Sequence, residues 1–392
     1  MKVAFGVSSV GLGHARRSLT LARNLRVKRP DLEITWFAAE PVLTFLEKEG
    51  ERFPTVCREL ESLSSPMENE VSSGRLSDIS RVARSSSSVA RSNYLLIKDL
   101  LSNFDFLIQD EFVETLLAFM WDRTPPIPRH RVVITDYLEI QSLHTWNPLS
   151  HTVNWYTNRL LRKAFAPCNP RIFADEIDAL PKPRREQGPR GFSVIGPILP
   201  ALPKENKDYL KEKLLKDLFD ENTDDRRLLV VSVGGTATGK LLLHFIATNQ
   251  GKLSAKLNCR FLVLPGPRVD SSEFEKYQSN STRYVSFSPD ILKLFKAADC
   301  VICQAGASTL NEVVALGTPC VTVPISNHFE QEANARRFSA KYKVVKLSYD
   351  QVNVDSLVAA VNQALAIKNR PVVDFSSNVV KVADLILREM GN

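Results

Sequence analysis

The sequence has no apolar run approaching the ~20 residues needed to cross a bilayer. No basic-then-apolar leader precedes its first strand-like stretch, Val3 to Val7. A cytoplasmic protein is therefore expected. Cysteine is scarce, with six in 392 residues: Cys57, Cys168, Cys259, Cys300, Cys303 and Cys320. The single Cys-x-x-Cys, Cys300 to Cys303, lies inside the apolar run DCVICQAG with no second pair at metal-ligand spacing. That argues against a zinc knuckle and for reduced cysteines in a core. The phosphate loop of ATPases is missing as well. SVGGTATGK, Ser232 to Lys240, is followed by Leu241 and fails the G-x-x-x-x-G-K-[ST] spacing. Charge of one sign does not gather in a basic tail: 51 basic against 44 acidic residues give +7, spread over both halves. A nucleic-acid protein would gather that surplus on an arm or stripe, so none is expected as partner. Small anions or an acidic membrane surface fit the surplus better. No repeat of solenoid period occurs.

What is present is ordinary globular sequence, 44% hydrophobic and 24% charged, long enough for two domains. Short strand-like runs, each bounded by Gly, Pro or Asp, appear at KVAFGV, EITWFAA, RVVITD, RLLVVSVGG, CRFLVLPG, DCVICQAG and CVTVPI. Helical stretches separate most of them. Doubly apolar strands alternating with helices predict parallel sheets covered on both faces. The pattern starts twice, at Lys2 and near Leu228, which predicts two Rossmann-like α/β domains. Residues 1–198 form the first and 226–370 the second. A proline-punctuated connection at 199–225 joins them, and a terminal helix at 371–392 is expected to pack back toward the first. One region departs from the alternation. Ser72 to Trp121 carries Arg75, Arg81, Arg84, Arg91 and Lys98 beside apolar Leu95, Leu96, Leu100, Leu101, Phe104 and Leu107. It suits either a solvated helix face or a patch for an acceptor or an anionic membrane. Trp146, Trp155 and Tyr156 suit core packing or a sugar-stacking platform.

Three motifs carry chemistry. VSSVGLGHARRS, Val7 to Ser18, turns from strand to helix through Gly11 and Gly13 and places His14 at the mouth. Gly234, Gly235 and Thr236 follow a second strand and suit a phosphate wrapped by amides and a hydroxyl. The third, Cys303 to Phe338, is the most specific. Gln304, Gly306, Ala307, Ser308 and Thr309 put small and hydroxyl residues at a helix start, an anion site. Glu312, one turn on, shares that helix face and suits the hydroxyls of a ribose. After the next strand, His328, Glu330 and Gln331 reach the same sheet edge with side chains suited to sugar hydroxyls.

These motifs, in this order, resemble those of MurG-type and UDP-dependent glycosyltransferases of the GT-B superfamily, including archaeal members. The resemblance spans both halves, while about Glu51 to Arg190 matches nothing closely. It implies two Rossmann-like domains with parallel sheets facing across a cleft. It also implies a donor site in which Gly13, Gly234, Gly235, Thr236 and Gly306 to Thr309 surround the diphosphate. Phe287 would then lie at the base, Glu312 at the ribose, and His328, Glu330 and Gln331 at the transferred sugar. His14 would be the general base, with Asp136 orienting it. Gln304 stands where relatives often have His or Arg, and Glu330 where MurG has glutamine, so the sugar stays open.

The implied reaction is inverting transfer of a hexose or N-acetylhexosamine from a UDP-sugar to a hydroxyl on a glycan or lipid-linked acceptor. The nucleotide sugar is a co-substrate, and no cofactor is expected. Amides and helix starts can stabilise the leaving diphosphate without a metal. The chain contains no Asp-x-Asp, the metal-binding signature of the other major glycosyltransferase fold. A place at the inner face of the membrane, through Ser72 to Trp121, would suit a lipid-linked acceptor. Two alternatives stay open: a sugar-nucleotide 2-epimerase of the same fold, and a non-catalytic donor-binding subunit.

Overall fold

The computed structural model describes residues 1–72, 75–76, 79–139, 148–180, 189, 191–219, 225–285, 288 and 290–391. Phe287 and Trp146 lie outside the described residues. The chain divides into two units. One comprises 1–66, 78–200 and 375–392, the other 67–77 and 201–374.

The first unit is built on a six-stranded parallel sheet. Its strands are β1 (Lys2–Val7), β2 (Glu33–Phe37), β5 (Phe106–Asp110), β6 (His130–Thr135), β7 (Arg171–Phe173) and β8 (Ser193–Val194), in the order β2-β1-β5-β6-β7-β8. A two-stranded ribbon, β3 (Val71–Ser72) with β4 (Arg75–Leu76), precedes β5 in the chain but is grouped with the second unit. Burial follows the sequence pattern: five of the six residues of β1 and all five of β5 are buried, as a sheet covered on both faces requires. Gly6 is dictated by packing, since a Cβ there would stand 2.3 Å from the Phe112 ring. The helix Gly13–Lys28 buries Ala15, Ser18, Leu19, Ala22 and Leu25, a stripe at helical spacing. The terminal helix Asn378–Gly391 buries Val379, Val382, Ala383 and Ile386 and packs on Gly13–Lys28, with Lys28 Nζ 2.5 Å from Asp384.

The second unit repeats the plan with β9 (Arg227–Ser232), β10 (Cys259–Leu264), β11 (Thr282–Tyr284), β12 (Cys300–Cys303), β13 (Cys320–Thr322) and β14 (Val345–Lys346). Its order is β11-β10-β9-β12-β13-β14, all parallel. All six cysteines are buried free thiols, and Cys303 Sγ lies 3.7 Å from Cys320 Sγ between adjacent strands. The Cys-x-x-Cys is thus a core strand. The connection expected at 199–225 is largely not a linker. Its helix Lys207–Phe219 buries Leu210, Leu215 and Phe219 in the core of the second unit, and Lys211 pairs with Asp299 at 2.7 Å. Burying such side chains contributes about 1.5–3 kcal/mol each, which the polar look of that segment conceals.

Strand order locates the sites. An open parallel sheet binds ligands beyond the carboxyl ends of its strands, where the winding direction reverses. In the first unit that point lies between β1 and β5, and in the second between β9 and β12.

Candidate functional site

Each reversal point collects the polar residues of a sequence motif. In the first unit β1 and β5 end at the same level, with Val7 beside Asp110. His14 enters on the helix after β1, Asp110 ends β5 and Glu111 follows it. His14 Nδ1 donates to Asp110 Oδ1 at 3.0 Å. Asp110 also accepts from Arg17 Nε at 2.8 Å, Arg17 Nη2 at 2.5 Å and Ser18 Oγ at 2.7 Å. Burial alone would raise the Asp110 pKa, but the charge and hydrogen bonds of Arg17 outweigh it and hold the carboxyl down at about 2. An ionised carboxylate only accepts, so Nδ1 carries the ring proton of neutral His14 and Nε2 carries the lone pair. Glu111 Oε2 stands 3.6 Å from Nε2, beyond hydrogen-bond reach.

Asp136 does not orient the histidine: Asp110 occupies the place expected for it. Asp136 instead accepts from Arg17 Nη1 at 2.9 Å, and its backbone N–H donates to Glu111 Oε1 at 2.8 Å. Glu111 has a left-handed backbone, φ 48°, which turns its carboxyl back toward β6, where Thr135 Oγ1 donates to it at 2.9 Å. Burial, then the charge of Asp136, push the Glu111 pKa well up, so Glu111 is the member of that carboxyl pair that keeps a proton. Ligand-type atoms of His14, Glu111 and Asp136 lie within 4.8 Å of one another, as a metal would require. The Arg17 guanidinium, however, already supplies the positive charge there, bound to Asp110 and Asp136. Arg17 was missed in the sequence, although i to i+3 spacing puts it on the His14 face of the helix.

In the second unit Ser232 pairs with both Leu264 and Cys303, so the loops after β9, β10 and β12 leave one edge. Gly234 has φ +81° in the first of these loops. The Thr236 and Thr238 hydroxyls are 2.7 Å apart, and Thr238 Oγ1 donates to Gln304 Oε1 at 3.4 Å. Gln304 is 5% exposed and its Nε2 has no hydrogen-bond partner. The helix Ala307–Leu316 begins at Gly306, which offers no side-chain cap to the amides of its first turn. Glu312 is buried one turn on from Ser308. Gly234 to Thr236 and Gln304 to Thr309 therefore come to neighbouring strand ends.

The residues after β13 divide. Asn334 Nδ2 donates to the Ala305 carbonyl at 3.1 Å, tying the helix Phe329–Tyr342 to the loop after β12. Gln331 Oε1 accepts from the Ile325 N–H at 3.0 Å, and Glu330 is exposed. His328 is a structural cap, not an open reader of hydroxyls. It is 5% exposed, its Nδ1 accepts from Gln331 N–H, and burial lowers its pKa to about 4. Trp155 and Tyr156 are more than half exposed, so neither is a core residue. Leu95, Leu96 and Leu100 are exposed on the helix Ile79–Leu101, which buries Ala90, Tyr94, Ile97 and Leu101. No helix among the described residues is long and apolar enough to cross a membrane.

Comparison with known proteins shows what the chain is similar to. Residues 229–386 match the glycosyltransferase family 28 C-terminal domain. An uncharacterized glycosyltransferase of Methanopyrus kandleri is 27% identical over 44% of this chain and 46% of its own length, so the chain spans about half of that relative. Another, from Methanosarcina mazei, is 23% identical over 86% of this chain and 82% of its own. The UDP-N-acetylglucosamine–N-acetylmuramyl-(pentapeptide) pyrophosphoryl-undecaprenol N-acetylglucosamine transferase of Alkaliphilus metalliredigens is 28% identical over 38% of this chain and 42% of its own. Among solved structures, the glycotransferase of kitacinnamycin superposes with a TM-score of 0.61 at 16% identity, covering 99% of this chain and 98% of that one. MurG of Acinetobacter baumannii superposes at 0.53 and 16% identity, covering 99% of both chains. Two parallel Rossmann-like sheets and these superpositions give the chain the GT-B glycosyltransferase fold, and its second half is similar to the family 28 C-terminal domain and to MurG-type relatives.

Proposed function

We propose that the chain transfers a hexose or N-acetylhexosamine from a nucleoside diphosphate sugar, a UDP-sugar, to an acceptor hydroxyl, with inversion and without a metal. The observation that carries this reading is the second unit's reversal point. There Gly234 to Thr238 and Gln304 to Thr309 meet beside an unpartnered buried amide, with Glu312 behind them. Amide donors of this kind stabilise the charge that grows on a departing diphosphate, and Glu312 suits the ribose hydroxyls. Gln331, its oxygen already bonded by Ile325, would read the sugar through its amide N–H groups.

His14 supports the catalytic half of the proposal. Its Nε2 lone pair takes the proton of the acceptor hydroxyl, while Asp110 fixes the tautomer and stabilises the resulting cation. The Arg17–Asp136–Glu111 network holds Asp110 in place. The acceptor belongs to the glycan or lipid-linked class, and the exposed leucines of Ile79–Leu101 suit peripheral contact with the inner face of a membrane. The test is incubation of the full chain with UDP-glucose, UDP-galactose and UDP-N-acetylglucosamine, following UDP release and 2-epimer formation together. UDP release without epimer supports transfer, epimer formation identifies the epimerase alternative, and inertness with every donor identifies a non-catalytic donor-binding subunit.

A further inference from the structure

Glu68 belongs to the segment 67–77, which is grouped with the second unit although it lies far from it in sequence. Its carboxylate is bound as a ligand would be. Oε1 accepts from the Ala237 N–H at 2.9 Å and from Arg268 Nε at 2.8 Å, and Oε2 accepts from Arg268 Nη2 at 2.7 Å. Ala237 directly follows the Gly234–Thr236 turn, and Arg268 lies in the loop after β10. The two loops are locked together: Gly266 has φ +87°, and a Cβ there would stand 2.2 Å from the Gly234 carbonyl oxygen. The side chains of Glu68 and Arg268 are 12% and 22% exposed, so the pair is largely shielded from water. A guanidinium fork beside a turn amide is also the donor set that takes a phosphate oxygen pair.

We propose that Glu68 is a built-in competitor for the phosphate seat formed by Arg268 and the Ala237 amide, displaced when a diphosphate group binds. The inference rests on the reading of Gly234 to Thr236 as the donor-phosphate loop and adds to it a cationic residue and an occupant. A tethered carboxylate holds the seat at high effective concentration, so the apparent affinity for a diphosphate is reduced by the fraction of time the seat is filled. Removing the carboxylate takes the tethered competitor away from Arg268 and the Ala237 amide, so an incoming anion meets them without having to displace Glu68.

The experiment measures binding of UDP, inorganic pyrophosphate and uridine to the full chain by titration calorimetry. The variants are Glu68→Ala, Glu68→Gln, Arg268→Ala and the double variant Glu68→Ala/Arg268→Ala. Glu68→Ala should tighten UDP and pyrophosphate by about tenfold and leave uridine unchanged, with Glu68→Gln in between. Arg268→Ala should weaken pyrophosphate, and in the double variant the gain should vanish. Should Glu68→Ala not fold, Glu68→Gln decides by the same sign. Wild-type or weaker affinity for UDP and pyrophosphate in a folded Glu68 variant overturns the proposal, as does equal tightening of uridine. Tightened pyrophosphate with no UDP binding to any form would keep the anion seat and overturn the nucleotide-sugar reading instead.

Discussion

Around His14 a few side chains decide which atom can accept a proton. Four donors converge on Asp110, and their sum keeps it ionised in a buried place where a lone carboxyl would stay protonated. Asp110→Asn should therefore cost more turnover than Asp136→Asn, because only the first frees Nδ1 to change tautomer. Steady-state kcat of both folded variants checks this, and an equal loss would contradict the assignment of Asp110. A second carboxyl reports through stability. Glu114 is buried, with Oε1 accepting from Asn93 at 2.9 Å and Oε2 without a partner, and burial raises its pKa to about 7. Its folded value exceeds its unfolded one, so below pH ~4.5 both states hold the proton and no penalty arises. Between pH ~4.5 and ~7 the unfolded chain ionises first, and above ~7 the penalty on folding is complete, on the order of 3 kcal/mol. Glu114→Gln should accordingly raise stability at pH 8 and lose that advantage by pH 5. Urea titrations at the two pH values decide, and a gain equal at both would remove Glu114 as its source.

Helices and loops, one level up, explain why some of the site was legible and some was not. Gln304 to Glu312 could be found because strand, small-residue turn and helix are contiguous in sequence, and the 3.6-residue period puts Ser308 and Glu312 on one face. His14 was visible for the same reason. The pairing of Asp110 with Arg17 was not, because it joins the end of β5 to a helix 93 residues earlier. Local pattern carries no such register. The segment 199–225 misled through its prolines and charges, since three buried side chains of Lys207–Phe219 are enough to fix it to a core. The helix Ala307–Leu316 gives this scale its prediction. Glu312→Ala should weaken UDP binding by about 1–3 kcal/mol, the loss of a hydrogen bond from a charged acceptor. Calorimetry on the folded variant checks it, and unchanged affinity would take Glu312 out of the site.

Across the whole molecule, topology assigns the tasks. The two sheets have different strand orders, yet each reverses where its motif residues stand: His14 and Asp110 in one, Gly234 and Gln304 in the other. Alternation of strand and helix made both sheets readable from sequence. The passage of 67–77 into the second unit was not readable, because nothing in a short helix and ribbon states which core it joins. If the amides of Gly234 to Thr236 and Gly306 to Thr309 stabilise the leaving diphosphate, as proposed, activity in excess EDTA should equal activity with magnesium. Complete loss in EDTA, restored by magnesium, would contradict that account. The most direct test of the central claim is UDP release from a UDP-sugar by the full chain in EDTA, measured beside UDP affinity, for wild type and His14→Ala. The account predicts turnover lowered by about two to four orders of magnitude with UDP affinity unchanged. Equal turnover in the two proteins would contradict it.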